Sequence, residues 1–270
     1  MTTDPSGRPL GASKATTEWH ESRTAANEAQ FLLPYLTPGM SLLDVGSGPG
    51  TITAGLAEAV APGQVIGVDL DPARVERAAA AAKERGIDNL SYQTANAYDL
   101  PFDDATFDVV FENAMLLHVS DPTKVVGEVH RVLKAGGLFA TREGDHDARL
   151  WSNASEGVNE FRRFIAKARA HQGTNQFLGK HLRRLLREAG FSDVAGTASC
   201  EAAGTLQETA KVASTLIRVL EEPDIAEFAV QEYGDLSKVD AMKAALREWG
   251  EHPDSLHVFM FCEAVGRKPN

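Results

Sequence analysis

LLDVGSGPGTITAGLAEAV, residues Leu42 to Val60, joins a short apolar run to glycines at Gly46, Gly48 and Gly50 and then to a helical pattern. Leu42 to Val45 reads as a buried strand, and Ile52, Leu56, Ala59 and Val60 give the following segment an apolar helical stripe. A strand, a glycine loop and a helix N-terminus let backbone approach a ligand closely, with N–H groups pointing outward. Two phosphate-binding loops are excluded by the spacing. Thr51 breaks the G-x-G-x-x-G/A dinucleotide fingerprint, and the G-K-[ST] of a P-loop is absent. What stands is D-x-G-x-G-x-G, from Asp44 to Gly50.

Outward from that loop, strand and helix patterns alternate. QVIGVDL is a second strand, and DPARVERAAAAAKERG is a helix with an Asp-Pro start and a Gly stop. LSYQTA and FDVVFEN read as strands three and four, PTKVVGEVHRVLK as a helix, and GGLFATRE as strand five. This order implies a mostly parallel sheet with helices on both faces and ligands at the carboxyl ends of the strands. Upstream, residues 1–17 read as disordered, and the pattern from Glu18 to Leu36 is helical, with Ala25, Ala29 and Leu32 or Leu33 on one stripe. After Glu143 the rhythm changes. Residues 146–178 and 205–250 read as helical additions, GKHLRRLLREAGF as an amphipathic helix, and FSDVAGTASC and SLHVFMFCEAVG as strands six and seven. The expected architecture is one domain over residues 18–270, with the two additions covering the ligand edge as a lid.

The chain has 270 residues and is 43% hydrophobic, enough for a sizeable core. Its formal net charge of −11, from 27 basic and 38 acidic residues, argues against nucleic acid or an anionic membrane surface as partner. No apolar run reaches the ~18 residues of a membrane span, and the polar N-terminus lacks the apolar core of a secretory signal. Two cysteines, Cys200 and Cys262, are too few for a disulfide framework or a zinc cluster. A cytosolic protein, monomeric or homo-oligomeric, without a metal, is expected.

The loop from Asp44 to Gly50 resembles the first motif of class I S-adenosylmethionine-dependent methyltransferases. VIGVDLDP, ANAYDLPFDDATFDVVF and RVLKAGG resemble successive later segments of that family, so the resemblance covers about residues 18–143. SRTAANEAQFLLPYLTPGM and LREWGEHPDS resemble, less specifically, small-molecule members related to those of quinone biosynthesis. The resemblance implies a Rossmann-like α/β fold with a seven-stranded, mostly parallel sheet. It implies S-adenosylmethionine as cofactor and methyl transfer to an oxygen, nitrogen or carbon atom of a small acceptor, in secondary metabolism or quinone-like biosynthesis. Two alternatives stay open: a fold-alike that binds the cofactor but catalyses another reaction such as a cyclisation, and a noncatalytic partner subunit.

Residue by residue, the resemblance places Asp69 on the ribose hydroxyls, with Leu70 beside it. Asn96 and Ala97 stand where the family carries Asp-Ala at the adenine, and an Asn oxygen can still accept from the adenine amino group. Tyr98, Glu112 and Asn113 complete the cofactor set. Gly46, Ser47, Gly48 and Gly50 leave room for the methionine chain, Asp44 draws its ammonium through water, and the N–H groups at Thr51 favour its carboxylate. Arg23, on a segment that folds over the cofactor in the resembled subgroup, is a second candidate for that carboxylate, and His20 a candidate acceptor contact.

Chemistry at the acceptor needs positioning above all, and a base only if a proton must leave. His118, just past the fourth strand, can orient or deprotonate the acceptor or contact the cofactor; it can equally cap a packed turn, since Met115, Leu116 and Leu117 precede it. Glu143, Asp145 and His146, after the fifth strand, are candidate acceptor contacts. Trp151, Phe161, Phe164, Phe177, Tyr233 and Trp249 read as apolar pocket lining or ordinary core, and the Arg pairs at 162–163 and 183–184 as solvated helix faces.

Overall fold

The computed structural model describes residues 23–270. Seven strands form one sheet in the order β3-β2-β1-β4-β5-β7-β6. They are β1 Leu42–Val45, β2 Val65–Asp69, β3 Leu90–Thr94, β4 Phe107–Asn113, β5 Leu133–Trp151, β6 Ser192–Ala203 and β7 His257–Arg267. β1 to β5 are parallel, and β7 runs antiparallel between β5 and β6. The order reverses at β1. β2 and β3 lie on one side of it and β4 on the other, so the crevice beyond the carboxyl ends of β1 and β4 is the topological switch point where such sheets bind ligands.

The helices are α1 Ala25–Glu28, α2 Thr51–Val60, α3 Pro72–Glu84, α4 Pro122–Val132, α5 Glu156–His171, α6 Leu182–Glu188, α7 Leu206–Leu220, α8 Pro223–Tyr233 and α9 Ser237–Glu251. Successive strand residues point to opposite faces, and the core divides accordingly. Leu43, Val45 and Val110 join the cluster beneath α4 and α6, with Val125, Val129 and Leu186. Leu42, Val109 and Phe111 join the opposite cluster with Leu56 and Val60 of α2. Each fully buried aliphatic or aromatic side chain of this kind contributes about 1.5–3 kcal/mol. A third cluster, with Val158, Phe161, Phe164, Leu246 and Trp249, lies among α5, α7, α8 and α9, so the additions carry a core of their own.

Two sequence expectations are corrected. The helix expected over residues 18–36 is, within the described residues, the single turn of α1 followed by a 3-10 turn at Leu33–Tyr35. Pro34 has no N–H to continue an α-helical ladder. Ala25, Ala29 and Leu32 still reach the core, because α1 packs closely on α2: a Cβ at Gly55 would stand 2.7 Å from that of Ala25. The remainder of that helix, the 1–17 segment and His20 lie outside the described residues.

The second correction concerns β5, which does not stop at Glu143 but runs to Trp151. The stretch GDHDA has no strand alternation, yet β7 takes up the pairing again at Arg149↔Phe259 and Trp151↔His257 beyond a register break after Gly144. That glycine lies under the Phe259 ring, where a Cβ would meet Cζ at 2.6 Å. The 146–178 addition therefore begins as strand and becomes helix only at α5.

Candidate cofactor and active site

The loop after β1 is tied to β2 by its own backbone: Gly46 N and Ser47 N both donate to Val68 O, at 2.8 and 2.9 Å. Gly48 and Gly50 both have positive φ, 54° and 79°, for different reasons. A Cβ on Gly50 would stand 2.3 Å from Tyr92 Oη, the hydroxyl that donates to Gly50 O at 3.0 Å. A Cβ on Gly48 would have only Gly46 O, at 4.0 Å, within reach; it would project into open space. That space is a cavity of about 510 Å³ at the switch point.

Asp69, at the tip of β2, lines this cavity and is 8% exposed. Its Oδ2 accepts from Gly48 N at 3.0 Å and its Oδ1 from Asp71 N at 2.9 Å. Each oxygen keeps a lone pair, so the carboxylate is fixed in orientation and still able to accept from a vicinal diol. Ser47 Oγ beside it is buried without a hydrogen-bond partner. Among the described residues no lysine lines the cavity. These features fit S-adenosylmethionine, which has a ribose diol and no pyrophosphate. Asp69→Ala is expected to weaken S-adenosylhomocysteine binding by about 1.5–3 kcal/mol, the range for hydrogen bonds to a charged group, measured by calorimetric titration. An unchanged dissociation constant would assign the diol to another acid.

Asp44 lines the same cavity almost wholly buried, and its Oδ2 accepts from Thr53 Oγ1 at 2.6 Å. Burial pushes its pKa up to about 7; the Thr53 hydrogen bond opposes the shift, and the charges of Glu112 and Asp69 add to it. An ammonium brought beside it would favour the ionised carboxylate, so a ligand bound that way below about pH 7 would release a proton. Affinity for S-adenosylhomocysteine is expected to fall as pH drops below about 7, by up to about tenfold per unit. Asp44→Asn should remove that slope, and a flat wild-type profile would contradict it.

Beyond β3, Asn96 Oδ1 accepts from Tyr98 N at 3.0 Å, and Tyr98 Oη accepts from Asp121 N at 2.9 Å and shares a hydrogen bond with Ser120 Oγ. The loop is thus closed on itself, with the second lone pair of Asn96 Oδ1 left for a ligand. Opposite, Glu28 anchors the roof. Its Oε2 accepts from Arg142 Nη1 at 2.5 Å and Asn113 Nδ2 at 3.3 Å, and lies 3.8 Å from Arg23 Nε. Arg23 and Asn113 line the cavity from that cluster. Burial lowers the Arg23 pKa to about 10.

His118, in the 3-10 turn Leu116–His118, also lines the cavity. The residue is exposed on its cavity side. The protein crowded around the rest of the ring, and then the charges of Arg169, Arg74 and Arg23, lower its pKa to about 4. It is a neutral imidazole at physiological pH. The turn that carries it is held from below: Glu112 Oε1 accepts from Met115 N at 2.6 Å and Leu116 N at 3.1 Å, and Glu143 Oε1 accepts from Leu117 N at 3.0 Å. Burial and the neighbouring Glu112 raise the Glu143 carboxyl well above the usual range.

The structure therefore brings Arg23, Asp44, Gly46, Ser47, Gly48, Thr51, Asp69, Leu70, Asn96, Ala97, Tyr98, Asn113 and His118 to one cavity. Gly50, Glu112, Glu143 and Asp145 are off its wall. Gly50 makes room for Tyr92, and the two glutamates hold the His118 turn. Asp145 accepts from Lys180 N and Asp147 N. His146 lines a second, smaller cavity. Among the aromatic candidates, Trp151, Phe161 and Phe177 line that second cavity, while Phe164 and Trp249 are buried core. Sequence reasoning missed Met115, Arg74 and Ser120 on the cofactor cavity, and Gln172 with Gly173, which reach it from the end of α5. The position of Arg74 one turn into the helix after Asp69 was an available signal; nothing in the sequence marks Gln172.

Among the described residues no group of three or more His, Cys, Asp or Glu side chains is placed to hold a metal, and no helix is long and apolar enough to cross a membrane.

A parallel sheet reversed at β1, with a glycine loop and a strand-tip acid at the reversal, defines the class I, Rossmann-like methyltransferase architecture. The family model described as a methyltransferase domain matches residues 36–190, so the chain belongs to that family. The probable methyltransferase ltbC of Aspergillus luteorubrus is 30% identical over 282 residues, covering 96% of this chain and 96% of its own length. The demethylmenaquinone methyltransferase of Lactococcus lactis subsp. lactis is 39% identical over 109 residues, which cover 40% of this chain and 43% of that protein. The YcgJ structure from Bacillus subtilis superposes with a TM-score of 0.62 over 89% of this chain and 97% of its own, at 20% identity, a likeness of fold. The chain is an S-adenosylmethionine-dependent methyltransferase related to the quinone-biosynthesis type.

Proposed function

We propose that the chain methylates a small organic acceptor held between His118 and the lid helices, with residues 18–270 acting as one domain. The observation that carries this reading is that Asp69, Gly48 and His118 line one cavity, so a ribose anchor, a site of close backbone approach and a neutral imidazole face the same ligand space. When bound, S-adenosylmethionine supplies an electrophilic methyl group on a sulfonium. Asp69 holds the diol, Asp44 the ammonium side and Asn96 the adenine edge, which fixes the direction of the methyl. Arg23 and the N–H groups at Thr51 receive the carboxylate. The neutral imidazole of His118 accepts a hydrogen bond from the acceptor's O–H or N–H and aligns its lone pair. Positioning of this kind can supply up to roughly 7–11 kcal/mol of the barrier.

The test is incubation with trideuteromethyl-labelled cofactor and a panel of phenols, quinols and amines, read by mass spectrometry. The expected product carries one labelled methyl in place of one hydrogen, with one S-adenosylhomocysteine formed. A product with the mass of its precursor and no cofactor consumed would replace methyl transfer by an isomerising or cyclising reaction.

A further inference from the structure

The second cavity, about 350 Å³, lies between the end of β5 and α5. The segment 172–177 runs from one cavity to the other: Gln172 and Gly173 line the cofactor cavity, Asn175 N donates to Leu117 O at 2.8 Å beside His118, and Gln176 and Phe177 line this one. Its charges do not balance. Asp147 on its wall is paired with Lys180, and Arg163 with Glu156 at 2.5 Å and Glu160 at 2.8 Å. Arg149 and Arg162, among the described residues, have no carboxylate at ion-pair distance. Arg149 stacks on the Phe259 ring at 3.8 Å, and Arg162 donates only to Asn159 Oδ1 at 3.2 Å. Burial chiefly, and then the positive charge of Arg162, lower the Arg149 pKa to about 10; Glu201, the one carboxylate opposing this, is itself 3.8 Å from Arg142.

Hydrogen bonding is equally unfinished. Arg149 Nε and Trp151 Nε1 are buried donors without acceptors, and Gln176 Oε1 is a buried acceptor without a donor. A buried donor left without an acceptor loses its hydration with nothing to replace it. Two such donors and two mutually repelling guanidinium groups around one cavity are all relieved by a single kind of ligand group, an anion. His146 and His257 beside them are held neutral, with pKa values lowered to about 2 and about 4, by burial first and then by Arg149.

We propose that this cavity is the anion subsite of the methyl acceptor, in which Arg149 on the inner wall and Arg162 at the mouth hold a carboxylate or a phosphate. Trp151 and Phe161 pack the adjoining carbon skeleton, which extends past residues 172–177 toward His118. The inference rests on the methyltransferase reading and narrows its acceptor to an anionic, ring-bearing molecule.

The probes are 2-naphthoate, 2-naphthyl phosphate and neutral 2-naphthamide, titrated into protein saturated with S-adenosylhomocysteine. At least one anion is expected to bind about tenfold or more tightly than the amide, and its identity separates carboxylate from phosphate. Arg149→Met and Arg162→Gln should each remove most of that preference, and Arg149→Lys should keep part of it. All variants should bind S-adenosylhomocysteine like the wild type, which shows that they are folded. An amide that binds as well as the anions, anions that do not bind, or an anion preference unmoved by both substitutions would overturn the subsite. Failure of the wild type to bind S-adenosylhomocysteine would overturn the methyltransferase reading, and the subsite with it.

Discussion

Gly48→Val is expected to abolish detectable binding of S-adenosylhomocysteine while leaving a cooperatively folded protein. Two effects act together. At φ 54° a β-branched residue is strained, which costs about 1–2 kcal/mol or more. The new Cβ meets its nearest described neighbour, Gly46 O, only at 4.0 Å, so the side chain starts out into the ligand cavity rather than the core. Gly48 N also orients Asp69, and a shifted loop would release that carboxylate as well. Gly50→Val is the contrasting variant: its Cβ would collide with the Tyr92 ring, so it should lose thermal stability as well as binding. Wild-type affinity in the folded Gly48→Val protein would mean that the ligand does not pass over the loop.

His118→Ala is expected to lower kcat by about 10²–10⁴, with the affinity for S-adenosylhomocysteine retained. The pH profile carries the distinguishing information. An unperturbed histidine would give an acid limb near about pH 6.5. Here the protein around the cavity-facing ring and the three arginines lower the pKa to about 4, so the His118 contribution should stay flat from about pH 8 to about pH 5. The same shift bears on stability. The unfolded chain protonates this histidine near pH 6.5 and the folded chain only near 4, so the stability difference is absent above about 6.5 and folded protein is progressively penalised as pH falls through that window. His118→Asn, which keeps a hydrogen-bond acceptor, should recover much of the rate if the imidazole positions the acceptor. Weakened cofactor binding in either variant would instead make His118 a cofactor contact.

The sheet and the cofactor edge were readable in the sequence because both depend on local pattern. Leu42, Leu43 and Val45 are apolar because they stand in a wholly buried strand, and Asp69 follows an apolar run because it stands at a strand tip. Three glycines in five residues mark a loop that local propensity alone would not choose. Readability failed where long-range pairing decides. GDHDARLW falls where strand five reads as ended and a helical addition as begun, yet it becomes strand because β7 supplies its hydrogen bonds from more than a hundred residues away. That misreading hid Arg149, whose place on a cavity wall exists only in the extended strand. Arg162 looked like a solvated helix residue, and it is exposed, but it stands at the mouth of the same cavity. Glu28 gave no signal because its partner Arg142 lies 114 positions away. Likewise, Glu112 and Glu143 suggested ligand contacts, whereas one oxygen of each accepts from the backbone of the His118 turn.

The central claim is that the crevice at the end of β1 and β2 is a cofactor site anchored by Asp69. Calorimetric titration of the wild-type chain with S-adenosylhomocysteine tests it most directly, with Asp69→Ala titrated alongside. The predicted result is one site per chain for the wild type, and for Asp69→Ala an affinity weaker by about ten- to hundredfold. Folded wild-type protein that gives no binding heat at high micromolar ligand, or binding that the substitution leaves unchanged, would contradict it.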